Sequence, residues 1–131
     1  MSQNPIDTRP LSPHLSIYKF TWLMSGSIVH RMTGAALYFC ALILLWGLLA
    51  INLGPEAYQF FLDYAHTPIA KLVLFGATWA LIHHSLGGLR HLIWDVGFAF
   101  DVPLAKKLAI ANFILAPLLT LLIWHFAGAL S

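Results

Sequence analysis

The chain has 131 residues, of which 60% are hydrophobic and 9% charged, against about 25% charged in a soluble domain. Too few polar side chains exist to coat a water-facing surface, so the composition excludes an ordinary soluble domain and points to one membrane-embedded unit over 1–131. The net charge of +2 is too small to suggest a nucleic-acid partner, and the single cysteine, Cys40, rules out a disulfide within the chain.

Residues 1–21 are polar and carry Pro5, Pro10 and Pro13, a pattern that reads as an extended segment on the membrane surface. The segment has neither the apolar core of a signal peptide nor the Arg-rich, acid-free character of a transit peptide. That favours the bacterial cytoplasmic (inner) membrane over the mitochondrial inner membrane. The first apolar segment covers about 22–53, longer than the roughly 20 residues a span needs. Its first turns are polar, with Ser25, Ser27, His30, Arg31 and Thr33, so this end is expected to face protein or a cavity.

Gly54-Pro55 ends that span. The connection to Pro68 has room for a short interfacial helix anchored by Tyr58, Phe60, Phe61 and Tyr64. The second span is expected over about 69–93. A turn from Asp95 to Pro103 follows, and Lys106 and Lys107 open the third span over about 106–130, with Pro117 expected to kink it. The fold class is therefore all-α, with three transmembrane helices. If the N-terminus is cytoplasmic, Arg9, Lys19, Arg31, Arg90, Lys106 and Lys107 lie towards the cytoplasm and only Lys71 lies opposite. Six of the seven basic residues then obey the positive-inside rule. This orientation also brings both polar clusters of the spans to one face.

The costlier cluster is His83-His84-Ser85-Leu86-Gly87-Gly88-Leu89-Arg90-His91-Leu92-Ile93-Trp94-Asp95. Ionisable groups within a membrane helix are functional candidates by default. At helical spacing His84, Gly87/Gly88, His91 and Asp95 share a face. A flat cofactor against such a face would need a nitrogen ligand, glycines along its plane and cations near its carboxylates. His84 lies about nine residues up the second span, roughly 14 Å at about 1.5 Å per residue, where an imidazole needs a hydrogen-bond partner or a metal. Haem iron, which commonly takes an axial histidine, is the leading candidate, against a plain bond to a neighbouring helix. His83, about 100° round the helix, is the weaker ligand candidate. Arg90 and His91 either snorkel to the headgroups or hold haem propionates. Asp95 caps the helix end or pairs with Arg31 or Arg90. In the first span Ser27, Arg31 and Gly34 follow i, i+4, i+7, with His30 beside them. A hydroxyl and a guanidinium together suit a quinone carbonyl, although an Arg31–Asp95 or Arg31–propionate pair would satisfy the same spacing.

Both clusters resemble the signatures of one family. Ser27-Ile28-Val29-His30-Arg31-Met32-Thr33-Gly34 resembles S-x-x-H-R-x-[ST]-G, and His84-Ser85-Leu86-Gly87-Gly88-Leu89-Arg90-His91-Leu92-Ile93-Trp94-Asp95 resembles H-x-x-x-G-x-R-H-x-x-x-D. These belong to the cytochrome b membrane-anchor subunit of succinate dehydrogenase, respiratory complex II. Arg9-Pro10-Leu11-Ser12-Pro13-His14-Leu15 with Ile17-Tyr18 is similar to the N-terminal motif of its alphaproteobacterial and mitochondrial branch. The resemblance implies half of a two-subunit anchor bundle beneath an iron–sulfur subunit and a flavoprotein subunit that oxidises succinate. It implies one haem b shared with the second anchor, with His84 as axial ligand here and the other ligand from the partner. It places Ser27 and Arg31 at the ubiquinone-reduction site, and His30, Arg31 and His91 beside the haem propionates. The His83-His84 doublet stands where the family pattern has one histidine.

Two other readings compete. A self-contained diheme cytochrome would need ligand pairs on facing helices, and His30–His84 is the only plausible pair within the chain. A non-redox scaffold or small transporter would use the polar clusters for lipid or protons, but no broken-helix repeat of the transporter kind is present.

Overall fold

The computed structural model describes residues 14 and 17–128. Most of the proline-rich surface segment, most of the motif from Arg9 to Leu15, and the final residues expected in the third span lie outside the described residues. Four helices follow in order: α1 (Trp22–Leu53), α2 (Pro55–Ala65), α3 (Pro68–Asp95) and α4 (Val102–Phe126). The long helices α1, α3 and α4 are each long and apolar enough to cross a membrane, and each packs on the other two.

Local chemistry sets the boundaries. Thr21, Thr67 and Asp101 cap α1, α3 and α4 by accepting from Met24 N, Ala70 N and Leu104 N, satisfying donors that a helix N-terminus leaves orphaned. Gly54 closes α1 at φ 110°, a left-handed conformation that costs glycine little, and Pro55 opens α2 at a position that lacks an intrahelical acceptor anyway. α4 starts at Val102 and not at Lys106, because the Asp101 cap and a proline in the first turn, Pro103, nucleate it earlier. Lys106 and Lys107 are therefore exposed residues inside its first turns. The helix continues through Pro117 to Phe126. We expect Asp101→Ala to raise amide hydrogen exchange at Leu104 and Ala105 about fivefold, the loss of a cap of about 1 kcal/mol.

The bundle is packed inside out relative to a soluble protein. Among the described residues the buried apolar side chains are all alanines: Ala50, Ala80, Ala105, Ala109 and Ala116. Large side chains such as Tyr38, Phe39, Leu44, Leu72 and Leu81 point outward. Lipid tails solvate leucine as well as another leucine does, so helix association depends on close van der Waals approach over small residues. Gly26 and Thr33 on α1, Ala80 and Gly87 on α3, and Ala105, Ala109, Ala116 and Thr120 on α4 supply that approach. The interfacial helix expected between the first two spans is α2. Its Tyr58, Phe60 and Tyr64 are exposed, but Phe61 turns inward. It packs edge-on to Trp46 at 4.9 Å and over Gly47, where a Cβ would lie 3.1 Å from its Cζ. Near the same end, Trp124 Nε1 donates to Thr78 Oγ1 at 3.2 Å, tying α4 to α3.

Candidate functional site

The site grows from two reciprocal gaps where α1 crosses α3. Gly34 on α1 makes room for His84 on α3: a Cβ at Gly34 would stand 2.8 Å from His84 Cε1. Gly87 on α3 makes room for His30 on α1, whose Cδ2 would overlap an added Cβ. Each helix thus accepts the other's imidazole in the space of a missing methyl. The two rings stack with centroids 4.0 Å apart and planes 9° from parallel. No flat macrocycle fits between rings at this spacing, so the His30–His84 pair cannot serve as the ligand pair of a self-contained diheme cytochrome.

His84 is oriented by its Nδ1, which lies 3.0 Å from His30 O and 3.4 Å from Thr33 Oγ1. A carbonyl oxygen only accepts, so Nδ1 carries the hydrogen and the lone pair resides on Nε2. Thr33 is itself fixed, donating to the Val29 and His30 carbonyls at 2.9 Å. The result is a half-buried imidazole with one nitrogen committed to the scaffold and one basic nitrogen to offer. Among the described residues no group of three or more His, Cys, Asp or Glu side chains is arranged to hold a metal ion.

His91 is exposed, with its ring 5.2 Å from His30. Arg31 is exposed as well. Gly88 meets nothing within 4 Å, so of the two adjacent glycines only Gly87 makes a close approach. His83 takes the opposite course. It is 0% exposed, its ring lies between Trp79 (5.4 Å) and Phe113 (5.3 Å), and Asn112 Nδ2 donates to its carbonyl at 3.3 Å. It is a packing residue of the bundle interior and does not share the exposed side of His84.

A cleft of about 330 Å³ opens beside this cluster, lined by Ser27, Arg90, His91, Trp94 and Phe100 among others. Trp94 is anchored by Nε1 donating to Ala99 O at 3.0 Å, and this bond shapes the turn that brings Phe100 to the rim. Arg31, one turn on from Ser27, does not line this cleft. Asp95 is the exposed last residue of α3. Arg90 does not hold it through Nε or Nη1, since both are buried without a hydrogen-bond partner. Nor does Arg90 snorkel, since only 5% of it is exposed. The signal for its burial is the stripe Ala80, His83, Gly87, Arg90, which is the buried face of α3.

Comparison with known proteins agrees with this architecture. Residues 5–123 match the model of the succinate dehydrogenase/fumarate reductase transmembrane subunit. The succinate dehydrogenase cytochrome b556 subunit of Rickettsia felis is 37% identical over 122 residues, covering 93% of this chain and 95% of the relative. That of Paracoccus denitrificans is 34% identical over 119 residues, 88% of this chain and 92% of its own. The mitochondrial succinate dehydrogenase cytochrome b560 subunit of Mus musculus is 33% identical over 120 residues, 88% of this chain and 70% of its own. With its three membrane-crossing helices, the chain belongs to the succinate dehydrogenase/fumarate reductase transmembrane subunit family, as a multi-pass, cytochrome b-type anchor of the bacterial inner membrane.

Proposed function

We propose that this chain is one of two membrane anchors of a succinate:ubiquinone oxidoreductase. It would hold a haem b through His84 Nε2 and contribute Ser27 and Arg31 to the site where ubiquinone is reduced by electrons from the iron–sulfur subunit. The flavoprotein subunit oxidises succinate, and the second anchor would supply the other haem ligand. The observation that carries this reading is the His84 Nδ1 bond to the His30 carbonyl. Fixing one ring nitrogen to a backbone acceptor is how proteins orient a ligating histidine and raise its basicity. The remaining nitrogen of His84 suits a metal that is already held by a macrocycle and needs one further ligand from this chain. The relatives are named cytochrome b556 and b560 subunits, and a b-type cytochrome is a haem protein.

When bound, the haem supplies a one-electron redox centre between the anchors. His30 stacks on the ligand and limits its rotation. His91 and Arg31 are the exposed hydrogen-bond donors available to propionates, and Asp95 is left for a partner chain. His91 lies near His30, which stacks on His84, and also lines the Ser27 cleft, so two histidines connect the proposed haem ligand to the cleft. The N-terminus is assigned to the cytoplasm on the distribution of basic residues.

The test separates the quinone step from succinate oxidation. In the complex purified with its partner subunits, we expect Ser27→Ala to lower ubiquinone reduction about tenfold, the worth of roughly one hydrogen bond in the site. We expect Arg31→Ala to lower it as well. Succinate oxidation by an artificial dye should be retained in both. Parallel loss of both activities would show damaged assembly and would remove the quinone role.

A further inference from the structure

The turn between α3 and α4 displays apolar side chains that the rest of the chain does not cover. Val96, Phe98, Phe100 and Val102 are each between 67% and 70% exposed. The turn is nevertheless tightly held. Gly97 N donates to Trp94 O at 2.8 Å and Phe98 N to Ile93 O at 3.2 Å. Trp94 Nε1 donates to Ala99 O at 3.0 Å, and Asp101 caps α4 by accepting from Leu104 N. Ala99 stands at φ 61°, a left-handed conformation that is costly for a residue with a Cβ. Strain of this kind persists where the surroundings impose it, and it collects in functional segments. A fixed turn that exposes four apolar side chains is a preformed surface for a partner.

The turn also stands clear of the lipid. The starts of α1 and α4 meet the end of α3 at this end of the bundle: a Cβ on Gly26 would lie 3.1 Å from Arg90 Nη1 and 3.6 Å from Ala109 Cβ. Lys106 and Lys107 are exposed on α4, and residues 108–126 beyond them measure about 28 Å at about 1.5 Å per residue. That length fills the roughly 30 Å hydrocarbon core and leaves the lysines at its edge. Asp101 is then about 9 Å further out, past a headgroup layer of roughly 5–8 Å.

Charge points the same way. Asp95 and Asp101 flank the turn, and both are exposed. An anionic leaflet attracts basic residues and repels carboxylates, so lipid is the poorer partner for an apolar surface with an acidic rim. A water-soluble protein carrying an apolar pocket with a basic rim is the better one. Phe100 also lines the cleft that contains Ser27. A protein seated on the turn therefore borders the place where ubiquinone is proposed to receive electrons.

We infer that the turn 96–101 is a docking surface for the iron–sulfur subunit, with Phe98 as its apolar anchor and Asp95 and Asp101 as its charged rim. The inference rests on the assembly and orientation proposed above, and it adds the surface of this chain on which the electron donor sits.

The experiment places photo-reactive benzoylphenylalanine at position 98 of the native complex, where it should cross-link to the iron–sulfur subunit. The same group in place of Phe126, an exposed aromatic at the opposite end of α4, should not. In detergent, Phe98→Ser should shorten the half-time for chaotrope-driven release of the iron–sulfur and flavoprotein subunits about tenfold, the effect of losing one aromatic anchor. The b-type band of the remaining membrane part should stay in place. Ala99→Gly, which relieves the left-handed strain, should keep normal retention, and the β-branched Ala99→Val should speed release.

A cross-link from position 98 to lipid makes the turn a membrane contact and overturns the inference. A cross-link to another subunit, or unchanged release in Phe98→Ser, overturns it as well. These outcomes leave the quinone reading standing, because Ser27→Ala judges that reading separately. If Phe98→Ser also loses the b-type band, the cross-link alone decides. A native complex that contains no iron–sulfur subunit overturns the assembly reading and this inference together.

Discussion

Replacing His84 with alanine is expected to abolish the reduced-minus-oxidised b-type band of the purified complex, while His83→Phe leaves it in place. The two histidines are adjacent in sequence, but their environments are opposite. His84 presents Nε2 and has its Nδ1 committed to the His30 carbonyl. His83 is sealed between Trp79 and Phe113. Changing a residue that only orients a ligand typically lowers metal affinity about 10–100-fold, and deleting the ligand should exceed that. Thr33→Ala, which removes the hydroxyl near Nδ1, should fall within it. His83→Ala should retain the band but destabilise the bundle by on the order of 2–3 kcal/mol, because it leaves a cavity between two aromatic rings. His83→Phe should be close to neutral, since both ring nitrogens of His83 lack partners and an apolar ring of similar shape carries no desolvation penalty. A persisting, unshifted band in His84→Ala would remove the ligand assignment.

The second large effect belongs to a glycine. Gly87→Ala places a methyl group on the His30 ring, with Cδ2, Nε2 and Cγ all in its path. His30 cannot move aside freely, because it is stacked on His84. Relief therefore needs either separation of α1 from α3 or displacement of both imidazoles. Overpacking of this kind costs about 1–3 kcal/mol. Because the displaced group supports the ligand, we expect haem occupancy to fall together with thermal stability. Gly88→Ala, one residue on, meets open space and should leave both unchanged, which makes the pair a sharp control. Equal behaviour of the two variants, measured by haem-to-protein ratio and thermal unfolding in detergent, would show that the Gly87–His30 contact is not maintained in the complex.

Much of this architecture is legible in the residues themselves. Thirty-two consecutive helical residues from Trp22 follow from an apolar run bounded by a Thr21 cap and a Gly54 stop. Both are local events that need no partner. The candidate ligand is also readable, because an imidazole deep in hydrocarbon demands a partner wherever the helix lies. The same reasoning identifies Ser27, His30 and Arg31 as a polar cluster on α1. The start of α4 at Val102, earlier than the lysines suggest, is encoded too, in Asp101 and Pro103, whose cap geometry outweighs the charge pattern.

Side-chain direction is decided only by how the helices pack. A membrane helix of mixed composition has a weak periodic signal, because both lipid and core accept apolar groups. Three helices must meet before one face becomes interior. That meeting puts Phe61 against Trp46 and Gly47, and draws His83 and Arg90 inward with Ala80 and Gly87. It leaves Gly88 open, and it brings Arg90 of α3 to the cleft that Ser27 of α1 lines. The spans, their caps and the polar clusters follow from the residues alone, since those depend on each residue's own cost in lipid. Packing of the three helices settles which of two neighbouring histidines offers its nitrogen and which arginine faces the cleft. Those outcomes turn on glycine gaps that mean nothing until a second helix fills them.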